Sequence, residues 1–185
     1  MEKDLETVKK AIAGDADAFT DLYSGIYKAM YRYAYFQLGR TADAEDAVAD
    51  TVVDAWEGIG SLRAPEAFRV WIFRILSAKC KRRRAYYAGE PVSLSGRAPD
   101  GSVKDLDSGA FGKVDEALKT EGIASPEEAL ALLSGLEETD RTILLLHVLA
   151  GFRTREIGDM LSLAPGTVRS RESRALKKLR KELSG

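Results

Sequence analysis

A chain of 185 residues with 45% apolar and 31% charged side chains has enough apolar material for a packed core, so disorder throughout is excluded. It holds no run near the roughly 18 apolar residues that a membrane span needs. One cysteine and one histidine exclude a disulfide framework, Cys₂His₂ or Cys₄ zinc sites and a multi-histidine metal centre.

The net charge of −1 conceals opposite blocks: 6 basic and 12 acidic side chains in residues 1–60, 8 and 1 in 61–88, 4 and 9 in 89–128, and 10 and 7 in 129–185. Two basic stretches between acidic ones point to two nucleic-acid-facing surfaces and at least one other partner. Met1–Lys10 is charged and lacks the apolar stretch of a signal peptide, so the expected compartment is the cytoplasm.

Along the chain, Phe19, Leu22, Tyr23, Ile26, Met30, Tyr33, Ala34 and Leu38 recur at steps of three and four, which predicts a helix ended by Gly39. Thr41 is expected to cap the next helix. There Ala44, Ala47, Val48, Thr51, Val52, Ala55 and Trp56 form the apolar face and Asp43, Asp46, Asp50 and Asp54 the opposite one. Gly58, Gly60, Ser61 and Pro65 mark a loop. A third helix buries Phe68, Trp71, Ile72, Ile75, Leu76 and Cys80 and runs out into Lys79–Arg84.

From about Ala88 to Ser125 glycines are frequent and periodicity fades, which reads as a linker with one possible short helix at Gly112–Thr120. So long a stretch argues for two domains. Ser125, Pro126, Glu127 and Glu128 then make an N-cap, an N1 proline and an acidic first turn. Ile143–Leu149 reads as a central buried helix. Thr154–Leu161, a break at Ser162–Ala164 and a helix from Pro165 to about Leu183 follow. No β-type alternation occurs, so the expected fold is all-α: two small helical domains (residues 1–87 and 125–185) joined by a flexible acidic linker (88–124).

The sharpest chemistry lies at the end. Two short helices about three residues apart, the second rich in arginine, form the helix-turn-helix pattern. Pro165, Gly166 and Thr167 open the second helix with small residues and free N–H groups that favour a phosphate. With Val168 facing in, the outward positions are Gly166, Arg169, Ser170, Ser173, Arg174 and Lys177, with Arg171 on the flank. An arginine near the helix start can reach guanine, and later cations meet phosphate. The competing reading is a solvated cationic helix.

Lys79–Arg84 with Tyr86 and Tyr87 is either a solvated face or a nucleic-acid contact in which cations track phosphate and aromatics stack on bases. The stripe of Asp43, Asp46, Asp50 and Asp54 is either a solvated face or a docking surface for a basic partner. Like charges at this spacing do not stabilise one another, and no partner base suggests catalysis. His147, within an apolar run, reads as a core or boundary side chain, and Cys80, Trp56 and Trp71 as core. No phosphate-binding glycine loop or HExxH is present, so neither a cofactor nor an enzyme activity is expected.

In this order the segments resemble a bacterial extracytoplasmic-function sigma factor, of the sigma-70 type. The likeness rests on Gly14–Phe19 with Leu22 and Tyr23, Ala44–Trp56, Phe68–Leu76, and Leu136–Leu183 with Thr154–Ile157 and Pro165–Arg171 as its helix-turn-helix. The resemblance implies a promoter-recognition subunit of RNA polymerase. It places Asp46, Asp50, Thr51 and Asp54 against the clamp helices of the largest polymerase subunit. Ser61 and Arg63 would stand in a loop holding a flipped-out −10 base, and Lys79, Arg82 and Arg83 would contact −10 DNA. Thr154, Arg155, Thr167, Arg169, Ser170, Arg171, Arg174 and Lys177 would read or anchor the −35 element.

Further implied partners are the flap region of the second-largest subunit and an anti-sigma factor, with a monomeric free chain and no membrane insertion. Opposite charge blocks also attract, so the acidic face and the basic helices are expected to be covered in the resting state. Where the family has a turn glycine and a capping serine, this chain has Ser162 and Ala164. The alternative is a stand-alone helix-turn-helix regulator that binds a palindrome as a dimer.

Overall fold

In a computed structural model, residues 2–88 and 125–183 are described. They form helices only: α1 (Glu2–Ile12), α2 (Ala16–Leu38), α3 (Thr41–Gly58), α4 (Phe68–Ala88), α5 (Pro126–Ser134), α6 (Glu138–Val148), α7 (Thr154–Leu161) and α8 (Pro165–Leu183), with 3₁₀ turns at Ile59–Ser61 and Pro65–Ala67. The expected helix at Gly112–Thr120 and the linker lie outside the described residues.

Local chemistry sets most boundaries. Asp15 caps α2 by accepting from the Ala18 N–H at 3.0 Å, and Gly39 closes it with φ 74°. Ser125 caps α5 by accepting from the Glu128 N–H at 3.2 Å. Arg40, not Thr41, occupies the N-cap of α3; Thr41 is its first helical residue and gives its hydroxyl to a bond with Tyr31. The sequence reading had no counterpart of α1, whose Val8 and Ala11 are buried against α2.

α1 to α4 pack as one bundle and α5 to α8 as a second, and the two meet where α2 touches α6 and α4 touches α7. A continuous apolar core runs through both, from Met30, Phe73 and Leu76 to Ile143, Leu146 and Ile157. At the meeting point the Gln37 side-chain amide donates to the Tyr33 hydroxyl at 3.1 Å and to the Thr142 hydroxyl at 2.9 Å. The Tyr33 hydroxyl also pairs with Ser77 at 2.6 Å. Gln37 and Thr142 are both buried, so each polar group needs the partner it has. Arg69 bonds the Ala150 carbonyl, and Arg74 donates to the Asp159 carbonyl at 2.8 Å.

Three side chains depart from the expected faces. Asp43 is buried and accepts from the Tyr87 hydroxyl at 2.9 Å, since the end of α4 lies over the start of α3. Trp56 is 40% exposed, because α3 turns its edge outward beside Phe19, whose ring centroid lies 5.2 Å away. His147 is exposed and bonded to Glu172 of α8, since Leu144 to Leu146 carry the buried side of α6.

Candidate nucleic-acid interface and docking face

α7 and α8 form the helix-turn-helix at the expected boundaries. The Glu156 carboxylate accepts from the Arg153 N–H at 2.7 Å and starts α7. Its last turn is tight: the Leu163 N–H donates to the Gly158 carbonyl at 2.9 Å, and a Cβ on Gly158 would stand 2.6 Å from the Leu163 carbonyl oxygen. Gly158 is therefore a backbone requirement, which a lone glycine inside a helical pattern does not announce. Ser162 takes the left-handed conformation, φ 56°, that glycine adopts at no steric cost. Ala164 starts α8 by accepting from the Val168 N–H at 3.1 Å.

Val168 and Ala175 are buried, so α8 turns Thr167, Arg169, Ser170, Arg174 and Lys177 outward together. Arg174 additionally reaches the Ser170 carbonyl at 3.4 Å. Thr154 is half-buried and Arg155 exposed at the start of α7. Arg171 is held on the inner flank: its guanidinium donates to Asp140 at 2.8 Å and to Glu137 at 3.2 Å. These two carboxylates hold its guanidinium more firmly protonated than usual. The outer face of α8 is thus a cationic strip with hydroxyls between, a surface matched to phosphate and base edges.

On the first bundle, Asp46, Asp50 and Asp54 share the exposed face of α3, while Thr51 is buried and donates to the Ala47 carbonyl at 2.6 Å. Next to Asp54 an open groove of about 300 Å³ is lined by Phe19, Tyr23, Val52, Val53 and Trp56. α4 lies behind the carboxylates: Lys79 pairs with Asp54 at 2.7 Å, and Arg83 pairs with Asp50 at 3.0 Å and Asp46 at 3.4 Å. Arg82 is exposed, with no partner among the described residues. Ser61 and Arg63 are exposed in the turn before α4, and the Ser61 hydroxyl donates to the Gly58 carbonyl at 2.7 Å.

The sequence reading identified the cations and carboxylates, and the structure brings some of them together. It did not find the ion pairs, the buried role of Asp43, or the groove at Trp56. Exposed Val53 beside Trp56 on the polar side of α3 was the available signal for that groove. Among the described residues no group of side chains could hold a metal, and no helix is long and apolar enough to cross a membrane.

The sigma-70 region 2 family model matches residues 19–88 and the sigma-70, region 4 model residues 127–179. The chain is 31% identical to the ECF RNA polymerase sigma factor SigL of Mycobacterium tuberculosis over 182 residues, covering 95% of this chain and 94% of that one. It is 28% identical to SigW of Bacillus subtilis over 192 residues, covering 99% and 96%. In fold it is similar to CnrH in complex with the cytosolic domain of CnrY, with TM-score 0.71, 23% identity and coverage of 98% and 97%. It is also similar to RpoE in complex with the anti-sigma factor NepR from Bartonella quintana, with TM-score 0.61, 20% identity and coverage of 90% and 96%. With both regions present in order and the likeness to SigL running nearly end to end, the chain belongs to the sigma-70 family, among the extracytoplasmic-function sigma factors.

Proposed function

We propose that this promoter-directing sigma factor works by holding two DNA-facing helices on one polymerase-bound chain. The observation that carries the reading is the pairing, in one molecule, of an exposed acidic face on α3 with a cationic helix-turn-helix on α8. Asp46, Asp50 and Asp54 would dock on basic clamp helices of the largest polymerase subunit. Thr51 would contribute from beneath as a packing residue, and the groove at Trp56 would take an apolar side chain of the same partner. α8 would enter the major groove at a −35 element through Thr167, Arg169, Ser170, Arg174 and Lys177, with Thr154 and Arg155 on the flanking phosphates. Arg171 would hold α8 in place.

On the −10 side, Ser61 and Arg63 would cradle an unstacked base while Lys79, Arg82 and Arg83 neutralise the backbone. Capturing such a base lowers the energy of the open strand, which is how a protein without catalytic groups promotes melting. The polymerase does the chemistry. Contact with the flap region of the second-largest subunit, an anti-sigma partner, a monomeric free chain and a cytoplasmic location complete the reading.

Gel filtration with core polymerase stripped of its own sigma tests it. One-to-one co-elution is expected, and Asp50→Arg should weaken it while leaving the helical signal intact. Failure to co-elute, with specific DNA binding by the free chain, would favour a stand-alone regulator.

A further inference from the structure

The helix assigned to −35 DNA carries an acid among its cations. Glu172 stands between Arg169 and Lys177 on α8 and shares with them and Ser173 an open concavity of about 450 Å³. A carboxylate there repels the phosphate that the cations attract. It also lies three residues after Arg169, the spacing at which two side chains of one helix can pair. Yet Arg169 is exposed with no partner among the described residues, and Glu172 is bonded instead to the ring Nδ1 of His147 on α6. Side-chain exposure is 16% for Glu172 and 46% for His147, so the acid is the inner partner and the imidazole meets solvent.

An ionised carboxylate only accepts, so Nδ1 carries the hydrogen of this pair, and Nε2 is the nitrogen at which a proton comes or goes. The other charged groups on elements packed around His147 are Arg169, Arg171, Arg174 and Lys177 on α8 and Arg153, Arg155 and Glu156 at the start of α7. Arg171 is committed to Asp140 and Glu137, and the Glu156 carboxylate to the Arg153 N–H. α2 meets α6 at Thr142, more than one turn before His147.

We propose that His147 is a positioning residue for −35 recognition that works through Glu172: the charged imidazole holds this carboxylate against α6, leaves Arg169 free for DNA, and is the form that −35 DNA selects. The inference rests on the −35 role of α8 given above. With His147 neutral the pair presents one negative charge beside the phosphates; with His147 protonated it presents none. DNA therefore favours the protonated pair, and the proton comes from water. By linkage, −35 binding tightens as pH falls through the range in which an imidazole changes charge. The chain has one histidine, so no other imidazole in it contributes.

The test uses the full chain on core polymerase and a labelled duplex that this complex selects from a random pool. Affinity is measured at about pH 6 and about pH 8, on either side of the imidazole range. His147→Gln should match wild type at the higher pH and fall short of it about three- to tenfold at the lower, the effect of half to one decade in proton affinity. Glu172→Gln should bind more tightly than wild type at the higher pH and equally at the lower. Comparing variants at one pH cancels the polymerase's own response. Adding His147→Gln to Glu172→Gln should then cost nothing at either pH.

A His147→Gln deficit of the same size at both pH values is a structural effect and overturns the proposal. A deficit at the lower pH that persists on the Glu172→Gln background puts the imidazole directly on DNA and overturns the positioning role. If Arg169→Ala leaves binding of the selected duplex unchanged, the −35 reading of α8 fails, and this proposal falls with it.

Discussion

Phe73 of α4 and Phe152 of the turn between α6 and α7 meet edge to face, with ring centroids 5.0 Å apart and planes at 77°. The Arg69 guanidinium lies over the Phe152 ring, 4.9 Å from its centroid, and bonds the Ala150 carbonyl. Phe152 is thus the point at which the second bundle is seated on the first. α4 and the helix-turn-helix are held together there.

Truncating that ring should open the molecule. Phe152→Ala removes a fully buried side chain, a loss of about 3–5 kcal/mol, together with the aromatic pair. The expected result in small-angle scattering is a larger radius of gyration at unchanged helix content. An unchanged radius would show that the bundles are joined by other contacts, the Gln37–Thr142 bond first among them.

The turn of the helix-turn-helix gives opposite responses at two neighbouring positions. Gly158→Ala pushes a methyl onto the Leu163 carbonyl oxygen, and overpacking of this kind costs about 1–3 kcal/mol. Ser162→Gly relieves a left-handed serine and should stabilise the chain by roughly 0.5–1 kcal/mol. Thermal melting reads both. A shift of the midpoint in the same direction for both would rule out a turn with Gly158 packed on the Leu163 carbonyl and Ser162 left-handed.

Arg169 and Arg171 stand two residues apart on α8 and should fail differently. Arg171 is tied to Asp140 and Glu137, so Arg171→Ala should lower the melting temperature. Arg169 is exposed with no partner among the described residues; Arg169→Ala should leave melting unchanged, weaken −35 DNA binding and flatten the salt slope by about one. Equal melting temperatures for the two variants would count against Arg171 as the residue that positions the helix.

Cys80 is the thiol of this chain, and burial pushes it up from its ordinary 9.0 to about 12. The folded chain keeps the proton at pH values where the unfolded chain loses it. This contribution to stability is therefore whole below pH 9.0 and falls as pH rises from there towards 12. Alkylation at pH 8 should be slow in the folded protein and fast in denaturant, since the thiolate is the reactive form. Rapid labelling of the native chain would contradict the burial of Cys80 on α4.

The amino-acid sequence by itself determined the helices whose ends carry their own chemistry. Ser125 before Pro126, and Pro165 after the break at Ser162–Ala164, satisfy or forgo helix-end N–H groups locally, so α5, α7 and α8 were legible without any partner. Val168 and the outward cations of α8 followed from the helical period alone. By contrast, α1 has few apolar positions and depends on α2 to bury them. Tertiary structure alone decided which charges are spoken for. Asp43 lies on the charged face of α3 yet is buried under Tyr87, and Arg171, Arg83 and Lys79 are paired with carboxylates on other helices. Gln37 is a polar residue on α2 whose burial exists because Thr142, 105 positions later, meets it. Periodicity assigns a residue to a face of its own helix; which neighbour covers that face depends on how the helices cross, and that is a property of the packed chain.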